Sequence, residues 1–488
     1  MSGGGFRTSR HPGGDVTSDD GSRQAADPRQ SPDPQPDIDH PPDAVPEADL
    51  IIVGAGAKAA AIAAKVHVLN NLGLGPIALT IVEATEPAAS WSGRNGMTSG
   101  EEPLAIPPIK DVGFPYQSFQ EFGDVGEEID RAMMPFTWQQ YMIGERRYVR
   151  WVNAGSPPIQ HRTYGKYLAW VLSRATEGVR LVRGRVTRVS LEEGERWRID
   201  VEDCTDSPMY RGRALALTGP GVHRPFPHDP DAAPRIFHCD SRRIELARIP
   251  IDQSADIAIV GGGESALSCV AFLRAFRPDA ELTIYTPSLP MSRGESFLEN
   301  RVFSNPDEVG WDALDSQTRR DFVRHCDRGV FDPATLETIA YDDQCRFVTG
   351  RVRHVCAVGG EGGVCVNYDA RGKGDTSVRH DYVVNCTGFD LLEQLRSLFP
   401  PAVRAEIESR VGAVWDRPSG GEIPIGRNLE LEGMRPRLHI PGLGALSQGP
   451  GFANLGSLGL LANRVLEPLF SEQDQQVHAS RNSITEVV

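Results

Sequence analysis

Two glycine-rich stretches carry a spacing suited to holding a dinucleotide. Gly54, Gly56 and Ala59 stand as G-x-G-x-x-A, and Gly261, Gly263 and Ala266 repeat the pattern in the second half of the chain, with Ser265 inside the second turn. In such a turn the first glycine permits the bend and the second lets backbone amides approach a pyrophosphate. The third small residue lets the following helix sit close on its strand, with the helix N-terminus facing the phosphates. The protein's own nucleophiles are less promising. No Ser-His-Asp or Cys-His constellation stands out, the twelve histidines are scattered, and no residue is expected to be catalytic in its own right. The eight cysteines, Cys204, Cys239, Cys269, Cys326, Cys345, Cys356, Cys365 and Cys386, include no C-x-x-C. That argues against a metal site or a redox disulfide and for a reducing cytoplasm.

The flanking elements must position these turns. Leu50, Ile51, Ile52 and Val53 read as a buried parallel strand, and the alanine-rich run after Gly56 reads as a helix. A second strand over residues 78–82 ends in Glu83, an acid able to hold ribose hydroxyls. This complete unit predicts an adenine dinucleotide at the first turn. The second unit has a strand over 257–260, a helix, and a strand over 282–285 that ends in Tyr285 and Thr286 rather than an acid, with Arg293 shortly downstream. An acid there would repel a 2′-phosphate and an arginine would pair with it, so NADPH is expected, with Arg293 on its phosphate. Residues 381–389 form an apolar strand running into Thr387 and Gly388, expected to return the chain to the first domain beside the cofactor. Residues 446–464 hold a Gly-Pro-Gly turn ending at Gly451 before an apolar helix, whose N-terminus could meet a flavin ring or a substrate anion. The irregular loops 91–100, which opens on Trp91, and 107–116 are long enough to predict function. Over 163–175, Tyr164, Tyr167, Leu168, Val171 and Leu172 recur at helical spacing and read as core. Strands are expected over 179–189 and 197–201.

At 488 residues, 40% hydrophobic and 24% charged, the chain has the make-up of a globular enzyme with two or three domains. The net charge of −15 argues against nucleic acid and anionic membrane surfaces, and no apolar run of about 18 residues predicts a membrane span. The fold class expected is α/β, with two Rossmann-like dinucleotide-binding domains. The expected layout is a disordered extension over 1–48, the first part of an FAD domain over 49–250 and an inserted NADPH domain over 251–380, with a linker near Ile251. The chain then returns to the FAD domain over 381–470 and ends in a flexible tail over 471–488.

Longer motifs carry a resemblance. VGAGAKA at Val53, SWSGRNGMTSG near Trp91, KDVGFPY at Lys110, GGGESA at Gly261, SRGESFLENRVFSNP from Ser292, DRGVF at Asp327 and LSQGPGFANLGSLGLL at Leu446 together resemble the flavin-dependent N-hydroxylating monooxygenases of lysine and ornithine. Within that class B flavin monooxygenase-like family the mycobactin-type lysine N6-hydroxylases are the most similar, over residues 49–464. The resemblance implies FAD and NADPH as cofactors, a C4a-hydroperoxyflavin, and attack by a neutral side-chain amine to give a hydroxylamine for siderophore or related biosynthesis. A free amine has a pKa of about 10.4, so the site must favour its unprotonated form while gripping the charged α-end elsewhere. By position, Lys110 matches the lysine that pairs with the substrate α-carboxylate, and Asn300 the asparagine that holds its α-end. Leu455 and Ser457 fall where the family's C-terminal helix lies against flavin and substrate. Ala57, Ala105 and the run Gln448-Gly449-Pro450-Gly451 depart from the ornithine pattern and favour the lysine branch. The alternatives left open are ornithine, a diamine or another primary amine, an uncoupled NADPH oxidase with no use for Lys110 and Asn300, and a nucleotide sensor. The partners expected are the amine substrate and O2, with self-association into a homo-oligomer left open.

Overall fold

The computed structural model describes residues 45–470 apart from 95–97, 205, 241–253, 360–361, 371–373 and 416–421. The expected extension up to residue 44, the linker near Ile251 and the tail 471–488 lie outside the described residues. Strand β1 (Glu47–Val53) is apolar because both its faces are covered, with Leu50, Ile51 and Ile52 fully buried. It begins before residue 49, the expected start of the folded part. The helix Ala57–Asn71 packs on it, and its alanines have no exposed face to spare. Strand β2 (Leu79–Glu83) pairs in parallel with β1 and with β3 (Val179–Arg183). The single strand expected over 179–189 is two strands. Gly184 separates β3 from β4 (Arg185–Glu192), which continues antiparallel into β5 (Arg196–Glu202) and β6 (Met209–Leu217). The sheet order is β3-β2-β1-β6-β5-β4. The helix His161–Arg174 buries Tyr164, Tyr167, Leu168, Val171 and Leu172, so the aromatic stripe is core.

After β7 (Val222–His223) the chain enters a second sheet. It comprises β8 (Ile236–His238), β9 (Asp256–Val260), β10 (Glu281–Thr286), β11 (Cys345–Ala357), β12 (Val364–Ala370), β13 (Gly374–His380) and β14 (Tyr382–Asn385), in the order β13-β12-β11-β10-β9-β14-β8. The run β11-β10-β9-β14 is parallel and has the three-two-one-four order of a mononucleotide-binding half. Two strands therefore fall across the expected boundaries. β8 was expected with the FAD domain, and β14 was expected to begin the return to it, yet both join the second sheet. Between β9 and β8 the apolar Val383 and Val384 of β14 are fully buried. The return comes after Asn385, through β15 (Phe389–Asp390), which pairs antiparallel with the outgoing β7. Strand β16 (Arg437–His439) then adds to β6, and a helix over 458–470 closes the described chain.

Candidate active site

The first turn has the geometry expected of a dinucleotide-binding turn. Gly54 has φ +95°, a conformation glycine adopts without penalty, and its amide donates to the Val82 carbonyl at 2.8 Å. Gly56 precedes the helix, and a Cβ there would meet nothing within 4 Å, so the space before the helix N-terminus is open. Ala59 is fully buried under the helix. Glu83 is fixed at the tip of β2: one carboxylate oxygen accepts from the Ala55 amide at 2.8 Å, the other from the Thr85 amide and hydroxyl at 2.9 and 3.0 Å. Trp91 stands edge-on to His161 and Tyr164, with centroids 5.0 and 5.3 Å apart. Gly54, Gly56, Glu83 and Trp91 line a cavity of about 3010 Å³, and Gly261, Gly263, Ser265, Thr387 and Gly388 line the same cavity. A single drug-sized ligand occupies roughly 300–1,000 Å³. The two turns thus share one space with room for two dinucleotides and a small substrate.

The second turn opens the helix Glu264–Phe276, with Gly263 at its extended cap. Glu264, in that helix's first turn, is pushed up to about 7 by desolvation at the cavity wall, against the pull of Arg293. Arg293, expected on the 2′-phosphate, lines the cavity and is bonded to protein groups. Its guanidinium donates to Glu264 at 3.1 Å, to Glu295 at 2.8 Å and to the Ala105 carbonyl at 3.2 Å, with Asp332 at 3.6 Å. Three carboxylates thus surround the guanidinium that was expected on the 2′-phosphate, and Arg293 ties the second turn to the loop that carries Lys110.

Lys110 and Asn300 meet although they lie far apart in the chain. The ammonium donates to the Asn300 Oδ1 at 2.6 Å. Asn300 sits on the helix Phe297–Ser304, and its amide nitrogen donates to the Glu295 and Ser296 carbonyls at 2.9 and 3.1 Å, which leaves the oxygen facing Lys110. Lys110 also lies 5.7 Å from the centre of the Phe114 ring. Burial, then the nearby Arg293, lowers its pKa. Leu455 lines the same cavity. Ser457 and Gly451 do not. Ser457 is fully buried with its hydroxyl unpartnered, and Gly451 is a glycine because a side chain there would strike the Phe303 carbonyl. The Gly-Pro-Gly turn therefore docks the helix bearing Asn300, and the C-terminal helix begins only at 458.

Sequence reading missed Lys58. It lines the cavity and donates to the Ala453 carbonyl at 3.1 Å, and burial pulls its pKa down to about 8. The available signal was a lysine inside a phosphate-facing turn, two residues after Gly56. No group of His, Cys, Asp and Glu suited to a metal ion occurs among the described residues.

The chain is similar to known proteins over most of its length. Residues 131–391 match the family model described as L-lysine 6-monooxygenase/L-ornithine 5-monooxygenase. The L-lysine N6-monooxygenase MbtG of Mycobacterium tuberculosis is 35% identical over 423 residues, covering 86% of this chain and 94% of its own. Lysine monooxygenase NbtG from Nocardia farcinica, solved with what is described as an unprecedented NADPH domain conformation, superimposes with a TM-score of 0.72 at 33% identity, over 86% of this chain and 99% of its own. The ornithine hydroxylase PvdA from Pseudomonas aeruginosa shares the fold, with a TM-score of 0.66 at 20% identity over 87% of this chain and 99% of its own. With two dinucleotide turns facing one cavity and such similarity over most of its length, the chain belongs to the L-lysine 6-monooxygenase/L-ornithine 5-monooxygenase family.

Proposed function

We propose that the protein is an FAD- and NADPH-dependent L-lysine N6-monooxygenase. The overall change is lysine, O2, NADPH and a proton to N6-hydroxylysine, water and NADP⁺. Bound flavin, reduced by NADPH, supplies activated oxygen; the chain supplies binding and orientation. Gly54, Gly56 and Glu83 would hold FAD, with Trp91 on the cavity wall beside them. Gly261, Gly263 and Ser265 would hold NADPH, and Thr387 and Gly388, which line the same cavity, would contact the cofactors. The observation that carries the reading is the Lys110–Asn300 bond on the wall of that shared cavity. It presents a fixed cation to the substrate α-carboxylate, and Leu455 offers an apolar surface to the side chain. An uncoupled oxidase would have no use for such a grip. Lysine is favoured over ornithine by the named activity of the relatives above 30% identity.

We further propose an FAD domain built on the first sheet, an NADPH domain built on the second, and a cytoplasmic setting, supported by eight free cysteines. No described helix is long and apolar enough to cross a membrane. The test is to supply the purified, FAD-loaded enzyme with NADPH and, in turn, L-lysine, L-ornithine and cadaverine. Hydroxylamine formed preferentially from L-lysine is the expected result. Preference for another amine contradicts the substrate, and peroxide without hydroxylamine from any of the three contradicts the activity.

A further inference from the structure

With Arg293 occupied, the 2′-phosphate of NADPH lacks an assigned cation. In a three-two-one-four half the ribose 2′ position is read at the carboxyl end of strand two. That strand is β10, and its tip is uncharged: the Tyr285 hydroxyl is shared with His380 at 2.8 Å, and the Thr286 hydroxyl donates to the Ser288 carbonyl at 2.6 Å. The adjacent strand three, β11, runs in parallel register with Thr286 opposite Thr349, so Gly350 and Arg351 extend past the β10 tip. Gly350 leaves room for the Tyr368 ring, which packs edge-on against Tyr285 at 5.0 Å. Arg351 is exposed and lines the cavity together with Tyr285 and Pro287. The other cavity arginines are engaged: Arg328 with Asp327 at 2.9 Å, Arg324 with Asp321 at 3.1 Å, Arg396 with Glu393 at 3.1 Å, Arg320 with Glu422 at 3.6 Å and Arg224 with the Phe389 carbonyl at 3.2 Å. Lys58 and Lys110 are bonded as described. Among the described residues Arg351 is the one cavity-lining cation whose side chain has no partner, and Asp369, opposite it across the hairpin, is taken by Arg353 at 3.1 Å. We propose that Arg351 pairs with the 2′-phosphate and sets the preference for NADPH over NADH, an assignment that rests on the NADPH reading above.

The experiment is isothermal titration of the full-length, FAD-loaded enzyme with 2′,5′-ADP and with 5′-AMP in low-salt buffer. Wild type is expected to prefer 2′,5′-ADP. Arg351→Ala should weaken 2′,5′-ADP by at least about tenfold, the scale of one charge-assisted contact, and leave 5′-AMP unchanged. Arg351→Lys should retain part of the preference and serves as the second variant if the alanine form loses flavin. Arg293→Ala should keep the preference. Undiminished preference in Arg351→Ala, or its abolition by Arg293→Ala, overturns the assignment. A wild type that binds the two probes equally overturns the NADPH reading itself, and with it this proposal.

Discussion

Lys110 is held in place by another side chain before any substrate arrives. Asn300 spends both amide hydrogens on backbone carbonyls, so its oxygen has one orientation, and that orientation fixes the ammonium. Because burial and Arg293 lower the Lys110 pKa, its charge is lost at lower pH than that of an exposed lysine. The KM for L-lysine is thus expected to rise on the alkaline side while flavin reduction by NADPH does not; steady-state and stopped-flow profiles measured side by side check this, and parallel profiles would contradict it. At Gly56 the open space makes a second forecast. Gly56→Val has room to fold, since nothing lies within 4 Å and the backbone there is extended, but it would place a side chain in the pyrophosphate path. The purified variant should keep its far-UV spectrum and lose FAD; full flavin occupancy would contradict the assignment. These positions were legible in the sequence because they are glycines at fixed spacing or lie inside long motifs. No sequence pattern shows that Glu264, Glu295 and Asp332 converge on Arg293, and the role proposed for Arg351 comes only from the register of β11 beside β10.

At the scale of elements, the helix Ala57–Asn71 carries two buried lysines. Lys65 donates to the Ser118 hydroxyl at 2.7 Å, with Asp130 at 3.9 Å, and burial pulls it down to about 8; Lys58 is pulled down likewise. Between pH 8 and 10.5 the unfolded chain binds more protons at these sites than the folded one, so they make unfolding free energy rise with pH, by up to about 1.4 kcal/mol per pH unit per lysine. Going down in pH through that window, the contribution is lost. Lys65→Met should therefore show a shallower rise than wild type between pH 8 and 9.5 in urea unfolding, and identical slopes would refute this. A second junction ties the C-terminal helix to the segment after Asn300: Arg464, fully buried, donates to Asp307 at 2.6 Å and to Gln448 at 3.2 Å. Asp307→Ala is expected to cost about 2–3 kcal/mol in urea unfolding, below the roughly 3–5 of a fully buried pair because Asp307 keeps some contact with solvent. A loss under 0.5 kcal/mol would show the bond to be dispensable. The strands β1, β2, β9 and β10, the helices that follow the two turns and the helix His161–Arg174 were legible from periodicity and turn residues. The Gly451 turn was not, since its use as a packing face depends on Phe303 from a distant helix.

Across the whole molecule, the outgoing and returning segments run side by side as β7 and β15, so one two-stranded ribbon joins the sheets on either side of the cavity. That two sheets each follow a glycine-rich turn was readable from the repeated motif, but the side on which β8 and β14 pair was not, because an apolar strand does not name its neighbours. The central claim is that this cavity grips the α-end of lysine at Lys110 and presents its side-chain amine to the flavin. The most direct test compares wild type and Lys110→Ala for NADPH oxidised, hydroxylamine formed and peroxide released in the same reaction. Loss of a partly desolvated ionic contact worth about 2–4 kcal/mol predicts at least a tenfold weaker response to L-lysine. The variant should go on oxidising NADPH while its product shifts from hydroxylamine to peroxide. A variant that still hydroxylates L-lysine with wild-type KM and coupling would contradict the account.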